Sequence, residues 1–373
     1  MTSLDASVVP SVTGSPSPAR VARATPFDDT SLRLLDLLQD HYPLVERPYA
    51  ALGEQLGISE EETIARLQEA RAAGVIRQVC AIYDTKALGY SSALVAMQVA
   101  PEQLRRAAHV INAHPGVSHN YKRNHDFNMW FTVAMPPGHD LDAVIQRLHE
   151  LAGADSTRPM PTLHLFKIAV TLDMTGERAL DARGAPEYTQ ERRVEAARHV
   201  IDDGDVAYIR ATQGDLPDVA EPFAGVAQEL GCSVDEVLEH ARRLTASGHL
   251  RRFAGILNHR TAGFRANGMA VWDVPPERIQ EFGKFVAGYR NVSHCYQRPT
   301  YPDWPYSVFS MLHHPKAAGV EETAAAIARD TGIADYRILY STTEFKKIRL
   351  PYFIPAYEQW ESLCSAAAEE PLS

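Results

Sequence analysis

Two short stretches of the chain set an imidazole, a phenol and a guanidinium at alternate positions. They read Val292-Ser293-His294-Cys295-Tyr296-Gln297-Arg298 and Val117-Ser118-His119-Asn120-Tyr121-Lys122-Arg123. In an extended strand residues i and i+2 share a face, so His294, Tyr296 and Arg298 point one way, as do His119, Tyr121 and Arg123. An imidazole exchanges protons near neutrality, a phenol donates a hydrogen bond, and a guanidinium stays charged and grips carboxylates through two parallel bonds. Unpaired polar groups are costly to bury, so finding the trio twice demands an explanation.

The elements that must position these residues also recur. Gly74-Val75-Ile76-Arg77-Gln78 answers Gly248-His249-Leu250-Arg251-Arg252, Leu88-Gly89-Tyr90 answers Ala262-Gly263-Phe264, and Phe166-Lys167-Ile168 answers Phe345-Lys346-Lys347-Ile348. Internal repeats of this kind mean a duplicated unit. In the first copy, leucines at helical spacing over Ser31–Gln39, a short helix over Pro48–Leu56 and a third capped by Ser59 and ending near Gly74 make a helix-turn-helix pattern. Val75–Ile82 then alternates like a wing or first strand. Ser92–Val99, Asn128–Met135 and Leu163–Leu172 read as further strands, with helices over Pro101–Ala113 and Leu141–Leu151. The order is βαββαβ, a ferredoxin-like module. The second copy repeats it, with helices at Asp205–Gln213, Pro222–Leu230, Ser233–Ser247 and 278–287.

The expected fold is therefore α+β, a tandem repeat of winged helix-turn-helix and ferredoxin-like units. The expected division is a disordered tail over 1–25, helix-turn-helix units at 26–78 and 193–252, ferredoxin-like modules at 79–174 and 253–361, a linker at 175–192 and a tail over 362–373.

Composition narrows the function classes. The 373 residues exceed one ordinary core, and 45% hydrophobic with 23% charged residues is the balance of a soluble globular chain. A net charge of −10 opposes nucleic acid as the main partner. Cys80, Cys232, Cys295 and Cys364 form no C-x-x-C pair, which fits a reducing cytoplasm, and no histidine cluster has the spacing of a zinc site. No apolar run reaches membrane-spanning length, and no phosphate loop or nucleophile elbow is visible.

A helix-turn-helix followed by βαββαβ resembles the Lrp/AsnC superfamily. More specifically, Arg251-Arg252-Phe253-Ala254-Gly255-Ile256-Leu257-Asn258-His259-Arg260, Ala262-Gly263-Phe264, Met269-Ala270-Val271-Trp272, the Val292–Arg298 signature and Trp304-Pro305-Tyr306 together resemble the siroheme decarboxylase family, with its two subunits fused in one chain. The resemblance implies removal of CO2 from two acetate side chains of siroheme, giving 12,18-didecarboxysiroheme for haem d1 or an alternative haem route. It implies no separate cofactor, since iron enters inside the substrate.

Siroheme is a polyanionic macrocycle, so its site needs cations and apolar walls. With the resemblance, the residues assign His294 as proton donor or iron-facing ligand, Tyr296 as its neighbour or a second donor, and Arg298 as carboxylate clamp. Arg251, Arg252, His259, Arg260, Trp272, Trp304 and Lys346 are expected to bind substrate, with His119, Tyr121 and Arg123 contributing from the first copy. There Arg252 is replaced by Gln78, Asn258 by Asp84 and Trp272 by Gln98, so the second copy is expected to hold the working site and the first to act as its partner. Expected partners are siroheme, homologous decarboxylase subunits, and the other copy in an intrachain pseudo-dimer, with a homo-oligomer left open.

Two rival classes remain at this stage: a tandem regulator that binds DNA and a metabolite, and a haem-binding carrier or sensor without turnover. The third helix of each helix-turn-helix opposes the first. Glu60, Glu61, Glu62 and Glu69 outnumber Arg66 and Arg71, and Asp235, Glu236 and Glu239 outnumber Arg242 and Arg243.

Overall fold

The computed structural model describes residues 27–40, 42–168, 200–258, 266–289, 291–314 and 316–369. The tail over 1–25, the linker at 175–192, positions 169–172 of the expected last strand, His259 and Arg260 lie outside the described residues.

Local signals start and stop the helices of the first copy. They are α1 (Asp29–Asp40), α2 (Pro48–Leu56) and α3 (Glu60–Ala72). Pro48 opens α2 where its missing N–H is harmless, Gly57 closes it at φ 71°, and the Ser59 hydroxyl accepts from the Glu62 amide to start α3. Leu32, Leu35 and Leu38 of α1 are buried against Tyr49, Leu52 and Leu67, which joins the three helices. The chain continues through β1 (Ile76–Tyr83), β2 (Ser91–Gln98), α4 (Leu104–Ala113), β3 (Val117–Arg123), β4 (Met129–Met135), α5 (Leu141–Ala152), β5 (Ser156–Met160) and β6 (His164–Ile168).

The second copy runs α6 (Asp203–Thr212), α7 (Ala224–Leu230), α8 (Val234–Ala246), β7 (Leu250–Leu257), β8 (Ala266–Trp272), α9 (Ile279–Ala287), β9 (Val292–Gln297), β10 (Val308–His314), α10 (Ala317–Thr331), β11 (Tyr336–Leu339), β12 (Ser341–Lys347) and α11 (Ala356–Glu369). Capping boxes open α6 at Asp202 and α8 at Ser233.

The strands pair in a way that alternation alone does not reveal. One sheet has the order β12-β3-β4-β2-β5 and the other β11-β8-β10-β9-β6. The four strands that each copy gives its own sheet follow the ferredoxin-like order, but the fifth comes from the other copy: β12 adds to β3, and β6 adds to β9. Two expectations are corrected here. The last strand of the first copy does not close its own sheet; β5 does so, pairing with β2, and its Ser-Thr-Arg-Pro-Met sequence has too few apolar residues to be read as a strand. The wing strand β1 joins neither sheet. It pairs antiparallel with β7, with Val79 opposite Gly255 and Cys80 opposite Ala254, in a ribbon between the two helical units. The borders expected at 78/79 and 252/253 thus fall inside these ribbon strands.

The two sheets meet over Trp130, Met160, Met269, Val271, Trp304 and Phe309, while α9 and α10 cover the opposite face of the second sheet through Phe282, Val286, Ala324 and Ile327. Among the described residues, no helix is long and apolar enough to cross a membrane.

Candidate active site

Both trios open onto one cavity of about 800 Å³ between the sheets. His294 and Tyr296 come from β9, Arg298 from the residue just past its end, and His119, Tyr121 and Arg123 from β3. Each strand is bulged at its serine. His294 pairs with Met311 and Val292 with Leu312, so Ser293 has no opposite number; in β3, His119 pairs with Thr132 and Val117 with Val133, leaving Ser118 unmatched. A bulge re-aims side chains. Here it brings the Ser293 hydroxyl 2.7 Å from His294 Nδ1 and 2.6 Å from His313 Nε2. In the first copy the Ser118 hydroxyl is 2.9 Å from His119 Nδ1 and 2.9 Å from the Thr132 hydroxyl. The His294 and Tyr296 rings lie 5.9 Å apart, and the Arg298 guanidinium is 4.9 Å from the Tyr296 ring centre.

The arginines show what the cavity is built to hold. Arg123 donates to the Leu339 carbonyl at 2.8 Å and Arg298 to the Met160 carbonyl, so each ties its strand to a strand end of the other copy. The Nε of each is buried without a hydrogen-bond partner, and among the described residues neither pairs with a carboxylate. Burial pulls both down to about 10. Uncompensated guanidiniums are costly to desolvate, and an anionic ligand offsets that cost. The exchanged strands add Lys167 from β6 and Lys347 from β12. Lys167 donates to the Tyr289 carbonyl at 2.8 Å, and burial lowers its pKa. Among the described residues that line the cavity Glu344 is the sole acid against four cations. Leu94, Trp130, Met269, Phe309 and Met311 supply apolar walls.

Burial, reinforced by Lys347, holds His119 down at about 4, and burial with Lys346 holds His114 at about 3. Both are neutral in the folded chain at ordinary pH. Unfolding restores a value of about 6.5, so below that pH the unfolded chain takes up the protons. The stability that neutral burial preserves is complete above about pH 6.5 and is lost as pH falls towards about 4, by at most about 1.4 kcal/mol per pH unit for each histidine. Thermal melts should therefore show a lower Tm near pH 5 than near pH 7.5, with the difference reduced in His119→Asn. An unchanged difference in that variant would contradict the assignment.

All six members of the two trios are brought together as the alternation predicts. Other expected ligand contacts are corrected. Trp272 is fully buried on the helix side of β8, stacked 4.7 Å from Tyr336, with its indole N–H donated to Ser310. Trp304 is also fully buried; it packs 5.2 Å behind Trp130, which itself lines the cavity. Arg251 and Arg252 belong to the β7 ribbon and do not line the cavity. Lys346 points away from it and donates to the carbonyls of Asn112 and His114, whereas its neighbour Lys347 faces in.

The residues taken to weaken the first copy are equally remote. Asp84 caps a turn through the amides of Lys86 and Ala87, Gln78 donates to the Gln213 carbonyl, and Gln98 is exposed at the end of β2. They bear on the helical units and the sheet rim, so the first copy shares the cavity fully. Sequence reasoning assigned no role to Ser293, His313, Lys167 or Lys347. The repeated Phe-Lys-Ile segment was the signal for the two lysines.

The third helices are committed internally. Arg71 pairs with Asp215 and Asp218 of the other copy, Arg66 with Asp28 and Glu62, and Arg243 with Asp205. Cations engaged in this way are withdrawn from phosphate binding, which disfavours the regulator reading.

Fold and cavity together define a tandem AsnC-like ligand-binding protein whose helix-turn-helix units pair with each other. The family model for the AsnC-like ligand binding domain matches residues 87–167 and 261–346, and that for the siroheme decarboxylase NirDL-like HTH domain matches 31–77 and 205–251. A siroheme decarboxylase from Hydrogenobacter thermophilus is 37% identical over 88% of this chain and 96% of its own. A siroheme decarboxylase beta subunit from Methanosarcina barkeri is 43% identical over 39% of this chain and 97% of its own. The crystal structure of the siroheme decarboxylase NirDL superposes with a TM-score of 0.73 at 32% identity, covering 92% of this chain and all of that one, and a second, in complex with an iron-uroporphyrin III analogue, superposes equally well. The chain belongs to the siroheme decarboxylase family.

Proposed function

We infer that this chain decarboxylates two acetate side chains of siroheme, giving 12,18-didecarboxysiroheme as a precursor of haem d1 or haem, and that it does so in the cytoplasm with no cofactor beyond the iron the substrate carries. The observation that carries this reading is the cavity between the copies, where both His-Tyr-Arg trios, with two lysines beside their two arginines, set four cations against one acid on apolar walls. The walls suit the macrocycle, and the guanidiniums suit its carboxylates. Loss of CO2 leaves an electron pair on the side-chain methylene carbon, which the conjugated ring accepts. A proton then converts the methylene to a methyl group. His294 is positioned to give that proton, Tyr296 flanks it, and Arg298 holds a carboxylate in place. Relatives carry comparable halves as separate subunits, whereas here one chain carries both.

Anaerobic incubation of the purified chain with siroheme, followed by mass spectrometry, should reveal loss of two CO2 per molecule. Intact siroheme after tight binding would instead make the chain a carrier. Absorbance titration should saturate at one siroheme per chain; two per chain would contradict a cavity shared by the copies.

A further inference from the structure

The two halves of the cavity differ behind their histidines. In the first copy the hydrogen-bonded series runs from His119 through Ser118 to Thr132 and ends on a hydroxyl. In the second it runs from His294 through Ser293 and reaches a second imidazole, that of His313. Threonine has no proton to give in this pH range; an imidazole does. His313 is partly exposed, at the end of β10, so it can exchange with water.

Resting on the decarboxylase reading, we propose that Ser293 and His313 form a proton relay that reloads His294 between the two decarboxylations. Each step breaks the bond from the methylene carbon to its carboxylate and consumes one proton. His294 gives its Nε2 proton to the methylene carbon. The Ser293 hydroxyl proton passes to His294 Nδ1, and the Nε2 proton of a doubly protonated His313 replaces it on Ser293. His294 ends as the other neutral tautomer, His313 as a neutral imidazole, and CO2 leaves. Uptake of a proton from water by His313 and a flip of the His294 ring, which turns its newly protonated nitrogen towards the cavity and its bare one towards Ser293, restore the donor. His294 is never required to hold a full positive charge beside Arg298 and Lys167, which line the same cavity. The free enzyme can load from solvent, but once a macrocycle covers His294 the second proton has to come through Ser293 and the partly exposed His313, which line the cavity beside it. Ser293 and His313 are positioning residues in this scheme, acting through His294.

The test uses full-length Ser293→Ala, His313→Gln and His313→Gly, with siroheme affinity read by absorbance and product composition followed in time. Expected are a Kd within about 3-fold of wild type, kcat lower by about 10–100-fold, and accumulation of the singly decarboxylated intermediate. Added imidazole should raise the His313→Gly rate at least about 5-fold, a response that a misfolded or merely repacked site would not give. Wild-type product distribution in all three variants would overturn the relay. So would equal slowing of both steps without imidazole rescue. A wild-type chain that leaves siroheme intact overturns the decarboxylase reading as well, which separates the two failures.

Discussion

His294→Ala should reduce kcat by about 1,000-fold while siroheme still binds, because a positioned general acid contributes about 10²–10⁴-fold to a proton transfer. Affinity comes mainly from the cations and the apolar walls of the cavity, which the substitution leaves in place. His119 cannot take over from the far side: among the described residues it is backed by the hydroxyls of Ser118 and Thr132, which have no proton to pass on in this pH range. His119→Ala should accordingly cost less than about 30-fold. Steady-state turnover with a parallel absorbance titration decides the matter. Full turnover by His294→Ala with unchanged binding would remove His294 from the chemistry, and a larger loss in His119→Ala would move the donor to the first copy.

Replacing Arg298 or Arg123 by methionine should raise the siroheme Kd by about 10–100-fold for each, since a hydrogen bond to a charged partner is worth about 1.5–3 kcal/mol. The double variant should lose less than the product of the two, because both groups act on one ligand. Stability of the empty protein should move the other way, or hardly at all. Exchanging a buried, uncompensated cation for a flexible apolar chain is often neutral or favourable. Opposing it here is the loss of the donor to the Leu339 or Met160 carbonyl. Calorimetry of the empty variants beside ligand titration distinguishes a clamp from a strut. A sharp fall in Tm with unaltered affinity would assign the arginines to holding strand ends alone.

Much of this arrangement was legible before the structure. Period-two alternation put each trio on one face of its strand, and the leucine spacing with its Pro, Ser and Gly punctuation located the helices of the helix-turn-helix units to within two residues, whereas α4 starts three residues later than expected and α11 runs through much of the stretch read as a tail over 362–373. What alternation cannot say is which of its two faces meets what. Trp272 and Met269 lie on opposite sides of β8, and size favoured the tryptophan, which faces the helices, over the methionine, which faces the cavity. Lys346 and Lys347 differ by the same one-residue parity. Ser293 was hidden for another reason: strict alternation sends it away from His294, and only the bulge turns both inward. The exchange of β6 and β12 leaves no trace in periodicity, because a strand reads the same whichever sheet edge accepts it.

That exchange reaches back into synthesis. In the first sheet Thr342 bonds to the carbonyl of Lys122 across 220 positions of chain. As the chain leaves the ribosome, the outer edge of β3 stays uncovered until β12 follows some two hundred residues later. An open edge is a template for unwanted pairing, and contacts so distant in sequence form slowly. Loss of β12 therefore injures the first copy more than the second, since this strand completes the wall around the first histidine.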